Sequence, residues 1–204
     1  MTTTLKRTVY GVGINDVPGS TNPSTPNRTL GHCYTLWSRM LERCYYPPYN
    51  LKRPTYIGCT VDPRWHYLSN FKQWYEEQGC VIGKQLDKDI ISPNNKVYGP
   101  DTCFLVSPQL NVFFTKRHNH RGKYPIGVYK WNTGKSNWTK FKSQISDTGK
   151  RISGGYHDTP EEAHQAFIKI KKELLLEKYI LPETDQRLKQ ALYNVYNNME
   201  EYFK

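Results

Sequence analysis

Between Ile126 and Tyr156 the chain alternates apolar and polar residues in three short runs, Ile126 to Trp131, Trp138 to Ile145 and Lys150 to Tyr156. The connections Asn132-Thr133-Gly134 and Asp147-Thr148-Gly149 have hairpin-turn composition. Successive side chains of a strand point to opposite faces, so each run has an apolar and a polar side. A three-stranded sheet of this kind needs its apolar side covered. The next segment supplies the cover. Thr159-Pro160-Glu161-Glu162 is a capping box with proline at the first helical position, and Ala163, Ala166, Phe167 and Ile170 recur at helical spacing behind it.

Strand parity sorts the residues. Ile126 and Val128, Phe141, Ser143 and Ile145, and Ile152, Gly154 and Tyr156 are expected to face the helix. Ser143 and Gly154 are small, as a close helix requires. Tyr129, Trp131, Lys140, Lys142, Gln144, Arg151 and Ser153 fall on the open face. Lys130 has inward parity but sits near a strand end, from which it can reach outward. The charge of the chain gathers here. The formal net charge is +11, and Lys116 to Arg151 contains ten Lys or Arg against one acid, Asp147. A charge excess of that size bears on partners rather than on fold, and a single-sign patch is the footprint of a polyanion.

Upstream, Thr8 to Ile14 reads as a short strand and Asp16 to Thr29 as a polar loop. A helix is predicted over 32–45, with Cys33, Trp37, Met40, Leu41 and Cys44 as its buried stripe, ended by Pro47 and Pro48. Thr55 to Val61 reads as a strand. Leu68, Phe71, Trp74 and Tyr75 mark a second amphipathic helix whose aromatics are core residues. Then come a strand, a loop, a strand and a helix: Gln85 to Ile91, a turn over Ser92 to Lys96, Cys103 to Val106, and a helix capped by Ser107 with Pro108 first. A last helix, Thr184 to Asn198, carries Leu188, Leu192 and Val195. It is expected to pack on the body or on a second copy of the chain.

No apolar run approaches the ~18 residues that span a bilayer, so no membrane partner is expected. The opening residues lack an apolar signal region. The five cysteines are odd in number and form no CxxC, which points to free thiols in a reducing cytoplasm.

The stretches YPIGVYKW, FKSQI and KRISGGYHDTPEEAHQAF resemble the Apetala-two/ethylene-response-factor DNA-binding domain. Gly127 and Val128 match the family's first strand. Phe141, Ser143 and Ile145 match its second, and Thr159, Glu162 and Ala163 match its helix start. Gly154, Gly155 and Tyr156 align with a Leu-Gly-x-Phe ending, with the spacer missing. The resemblance implies a sheet lying in the major groove of double-stranded DNA, where base pairs are distinguishable. The contacts it implies are Lys140, Lys142, Gln144 and Arg151, to which strand parity adds Tyr129 and Trp131, with Lys130 reaching a phosphate from its strand end. The lysines would hold phosphate, while Gln144 and Arg151 could read bases.

The stretch LDKDIISPNNKVYGPDTCFLVSPQLNVFF resembles the ββα-metal core of HNH homing endonucleases. YTLWSRMLERCY and YIGCTVDPRWHYLSNFKQW are similar to a phage family of that type. This second resemblance implies a Mg²⁺ or Mn²⁺ ion held by Asp87 and Asn111, with Asp89 as an alternative ligand. Lys88 stands where the family has its general-base His. A lysine there suits the scissile phosphate, and His118 or His120 would take the base role. Location in the bacterial cytoplasm follows if the chain is phage-encoded. The expected fold is α+β: an N-terminal HNH-like ββα domain over 1–120, an Apetala-two-like sheet packed on one helix over 121–180, and a C-terminal helix over 181–204. Three readings stay open: an endonuclease that nicks or cuts duplex DNA, a DNA-binding factor with a degenerate nuclease core, and a protein-interaction module.

Overall fold

The computed structural model describes residues 8–21, 28–79, 81–91, 94–115, 123–132 and 139–203. The architecture is α+β and divides into two compact units, 1–108 and 109–204.

The first unit is built on helices α1 (Arg28–Tyr45) and α3 (Leu68–Glu77). Each buries the stripe read from its periodicity: Cys33, Trp37, Met40, Leu41 and Cys44 on α1, and Leu68, Phe71, Trp74 and Tyr75 on α3. Trp65 joins them, with its ring centroid 4.9 Å from Phe71 and 4.6 Å from Trp74. Its backbone carbonyl accepts the indole N–H of Trp37 at 2.8 Å. The aromatic stripes are core, as expected. Cys33, Cys44, Cys59 and Cys103 are buried free thiols, and burial pushes Cys33, Cys44 and Cys103 up to about 12.

Several expected strands are shorter, for local reasons. Thr8 to Ile14 is a tight turn. Tyr10 and Gly11 take left-handed backbone, so Val9 pairs back onto Gly13. Thr55 to Val61 begins as a 3₁₀ turn at Pro54–Tyr56, because Pro54 has no N–H for a ladder. Only β1 (Thr60–Val61) extends, parallel to β3 (Val97–Tyr98). The run from Gln85 stops early. β2 (Gln85–Asp87) pairs antiparallel with β4 (Phe104–Val106), and Asp87 Oδ1 then accepts the backbone N–H groups of Asp89 and Ile90, turning the chain. The prolines after α1 also start a helix, α2 (Pro47–Lys52), since proline suits a first turn. α1 itself begins at Arg28, ahead of the expected 32, because a first turn needs no apolar residue to form.

α4 (Pro108–Phe113) follows β4, and its Phe113 belongs to the core of the second unit, 5.4 Å from the ring of Tyr179. That unit contains the antiparallel sheet β5 (Val128–Asn132), β6 (Thr139–Asp147) and β7 (Lys150–His157), in the order β5-β6-β7. Asp147 and Lys150 close a hairpin through Thr148 and Gly149, both left-handed, as a two-residue primed turn requires. The other expected turn at residues 132–134 lies largely outside the described residues, as does Trp138. α5 (Pro160–Leu175) crosses the inner face, with Thr159 and Glu162 forming the capping box. A π-helical turn (Leu176–Ile180) leads on to α6 (Gln186–Asn197) and α7 (Met199–Tyr202). Leu188, Leu192 and Val195 are buried within this unit, so α6 packs on the body.

Lys171, on the buried face of α5, is the unexpected core residue. Its Nζ lies 4.0 Å from the ring centroid of Phe113, 4.5 Å from Phe203 and 5.7 Å from Phe167, and donates to the Phe113 carbonyl at 2.5 Å. Burial pushes its amine down to about 7. Below that pH both the native and the unfolded chain hold the proton. Above it the unfolded chain, with an ordinary lysine pKa near ~10.4, still holds a proton that the native state has lost. Stability therefore rises from pH 7 towards pH 10, by up to ~1.4 kcal/mol per pH unit from this group. Urea unfolding across that range should show the rise in the wild type, and Lys171→Met should remove it. Parallel wild-type and variant curves would refute the assignment.

Candidate nucleic-acid interface

The sheet separates a covered face from an open one. On the covered face Val128, Ser143 and Ile145 are buried beneath α5. Gly127 makes the contact possible: a Cβ there would fall 2.1 Å from Phe167 Cδ2. The Ser143 hydroxyl is buried with no hydrogen-bond partner among the described residues.

The open face follows from the register. Tyr129 stands opposite Lys142 and Trp131 opposite Lys140, while Gln144 faces Ser153 and Ser146 faces Arg151. One expectation is corrected here. Tyr156 does not point at the helix; it is 52% exposed and pairs with Lys142 on the open side. The cause is a bulge. Ser143 pairs with Gly155 but Gln144 pairs with Ser153, so Gly154 is the extra residue and parity reverses beyond it. Gly155 has φ +94°, a region glycine enters without strain. His157 takes the inner register position opposite Phe141, and its Nε2 lies 2.9 Å from the Gly154 carbonyl oxygen. Two adjacent glycines inside a strand are the sequence signal for such a bulge.

The bulge assembles a cluster that parity alone did not indicate. Trp131 and Tyr156 have ring centroids 5.6 Å apart, and Lys142 Nζ sits 5.5 Å from one and 5.8 Å from the other. Lys140 is paired with Asp158, and Asp147, the acid of the basic segment, is paired with Lys178. Lys142 and Arg151 have no carboxylate partner among the described residues, while Lys130 stands opposite Phe141, on the covered side of the register. The face is thus flat, partly aromatic and positively charged. Of the ten basic residues between Lys116 and Arg151, Lys116, Arg117, Arg121 and Lys135 lie outside the described residues, as do His118 and His120.

The residues proposed for cleavage are placed otherwise. Lys88 is buried, and its Nζ donates to Asp89 Oδ1 and to the Asn95 carbonyl, both at 2.6 Å. The Asn95 amide returns to the Lys88 carbonyl at 3.0 Å. The amine is a donor that braces a loop. Asp87 carries the turn described above, and burial pushes its carboxyl above the usual range. Its Oδ2 has no partner among the described residues. Asn111 lies on α4, in the second unit, and its carbonyl accepts the Thr115 hydroxyl at 3.3 Å. No group of three or more His, Cys, Asp or Glu gathers among the described residues. No described helix is long and apolar enough to cross a membrane.

Comparison with protein-family models, with curated proteins and with solved structures finds no match to this chain.

Gly155→Ala tests the bulge without crowding, since an added Cβ would meet only His157 Nε2, at 3.7 Å. A left-handed alanine should cost ~1–2 kcal/mol in urea unfolding. A cost below a few tenths would mean that the strand runs straight and Tyr156 points inward.

Proposed function

We propose that this protein binds double-stranded DNA through the open face of β5-β6-β7. The observation that carries the reading is the uncompensated charge of that face: Lys142 and Arg151 lack acidic partners among the described residues, and both neighbouring acids, Asp147 and Asp158, are paired with lysines. Size agrees. Strands ~4.8 Å apart make a three-stranded ribbon ~10 Å across, and the major groove of B-DNA is ~12 Å wide. Lys142 holds phosphate in this reading, and Lys130, opposite Phe141, can join it only by reaching around the strand end. Gln144 and Arg151 are the side chains with the donors and acceptors to read bases, and Tyr129, Trp131 and Tyr156 give apolar contact with sugars and thymine methyls.

Binding should be steeply salt-dependent. Lys142→Ala should weaken affinity for every duplex and reduce the slope of log K against log salt by about one unit. Fluorescence anisotropy at several salt concentrations measures both. A flat salt response in the wild type would instead favour a protein partner.

Cleavage is a second reading, favoured by the order of β2, β4 and α4 and by the open Oδ2 of Asp87. One hard carboxylate oxygen suits Mg²⁺ or Mn²⁺, which keep several waters and take further oxygens from phosphate. Lys88 does not serve as proton acceptor in this reading, because its Nζ donates to a carboxylate and a carbonyl. His118 and His120, the expected alternatives for that role, lie outside the described residues. Supercoiled plasmid carrying the chain's own flanking DNA should be nicked in Mg²⁺ or Mn²⁺ by the wild type and not by Asp87→Ala. Plasmid left intact by the wild type would leave a DNA-binding factor with regulatory action.

A further inference from the structure

The first unit carries a basic cleft unrelated to the sheet. One wall is a stripe of α1, His32, Thr35, Arg39 and Arg43, spaced three or four residues apart so that all share one face. The other wall is the segment from Gly83 to Leu86, which contributes Lys84 and Gln85. The enclosed volume is about 280 Å³, at the small end of ligand sites.

Charge distinguishes this cleft from an ordinary surface depression. None of its lining residues is acidic, while Arg39, Arg43 and Lys84 are cationic and His32 is titratable. Two of the four are fixed in place. Arg43 lies over the Tyr56 ring, 5.5 Å from its centroid. His32 Nδ1 is 2.8 Å from the Tyr75 hydroxyl. Arg39 is exposed, and it has no carboxylate partner among the described residues. Three cations held around a small concavity repel one another, and an anion resolves that repulsion. Guanidinium forks favour a tetrahedral oxyanion with several acceptor oxygens.

We propose that the cleft between α1 and the Gly83–Leu86 segment is a phosphate-binding site, with Arg39, Arg43 and Lys84 as the contacting cations. The phosphate comes from a DNA backbone or from a free phosphorylated compound, and the two sources give different results below. The site stands independently of the sheet.

The test uses the full chain and two probes. Inorganic phosphate is titrated at constant ionic strength, followed by amide chemical shifts over residues 83–86 and by thermal unfolding. A 20-base-pair duplex is titrated at several salt concentrations. The expected result is saturable phosphate binding with shifts at residues 83–86, weakened at least tenfold in Arg39→Gln/Lys84→Gln. If the DNA salt slope of that variant also falls, by about two units, the backbone is the source. If the slope is unchanged, the ligand is a free phosphate compound. The proposal is overturned if phosphate leaves residues 83–86 unshifted, or binds wild type and variant alike. Should the double variant fail to fold, the exposed single change Arg39→Gln decides, with a loss of at least threefold expected and equal affinity overturning the proposal. A wild type that takes phosphate but no duplex would sink the sheet reading and leave this one standing.

Discussion

The close approach of α5 to its sheet governs the second unit. Phe167 occupies the space that a Cβ of Gly127 would need, and an added Cβ on Gly154 would lie 3.0 Å from Ile170. A helix seated this deeply buries Val128, Ser143 and Ile145 and leaves the opposite side of the strands without cover from its own helix. The same stripe also explains the buried lysine. Ala163, Phe167 and Lys171 are four residues apart, so the helical face that fits the sheet carries an amine into the core one turn later. Desolvation works against its charge. The three phenylalanine rings and the Phe113 carbonyl work for it. The balance falls near neutrality, which is why this unit contains a titrating group inside an aromatic core.

The first unit uses a buried lysine differently. Lys88 has a carboxylate and a carbonyl at 2.6 Å, and the Asn95 amide completes a closed ring of hydrogen bonds. A buried amine is tolerated when its donors are satisfied in this way. The position that the nuclease resemblance assigns to a proton acceptor therefore has a mechanical role. It ties the end of β2 to the segment leading into β3, next to the Asp87 turn.

What the sequence revealed follows from which signals are local. The stripes of α1 and α3, the capping box at Thr159 and the hairpin at Thr148-Gly149 are set by residues a few positions apart, and each was legible. The short strands were overestimated because their ends depend on single backbone events: the left-handed pair Tyr10-Gly11, the missing N–H of Pro54, the Asp87 side chain capping its own turn. Parity gave the open face correctly up to Gly154 and failed beyond it, since one extra residue reverses every later side chain. Lys171 could not have been found by periodicity, which marks apolar positions. The basic cleft was equally hidden, because it needs the Gly83–Leu86 segment folded beside α1.

The bulge matters beyond the direction of one tyrosine. Without it the open face would lose the Tyr156 ring from beside Lys142, leaving Trp131 and the cross-strand Tyr129. With Tyr156 outside, the ammonium rests against a pair of adjacent rings, 5.5 and 5.8 Å away. A lysine held this way has lost part of its rotamer freedom before any ligand arrives, so immobilising it on a phosphate costs less than the ~0.5–1.5 kcal/mol of a free side chain. Arg151, exposed and without a carboxylate partner among the described residues, retains that cost. The face is therefore graded. On the proposed DNA-binding reading, its ordered centre would set where the sheet sits along a backbone. Arg151, opposite Ser146 beside the β6-β7 turn, has no ring beside it, so on that reading it would be the side chain left free to sample neighbouring base edges.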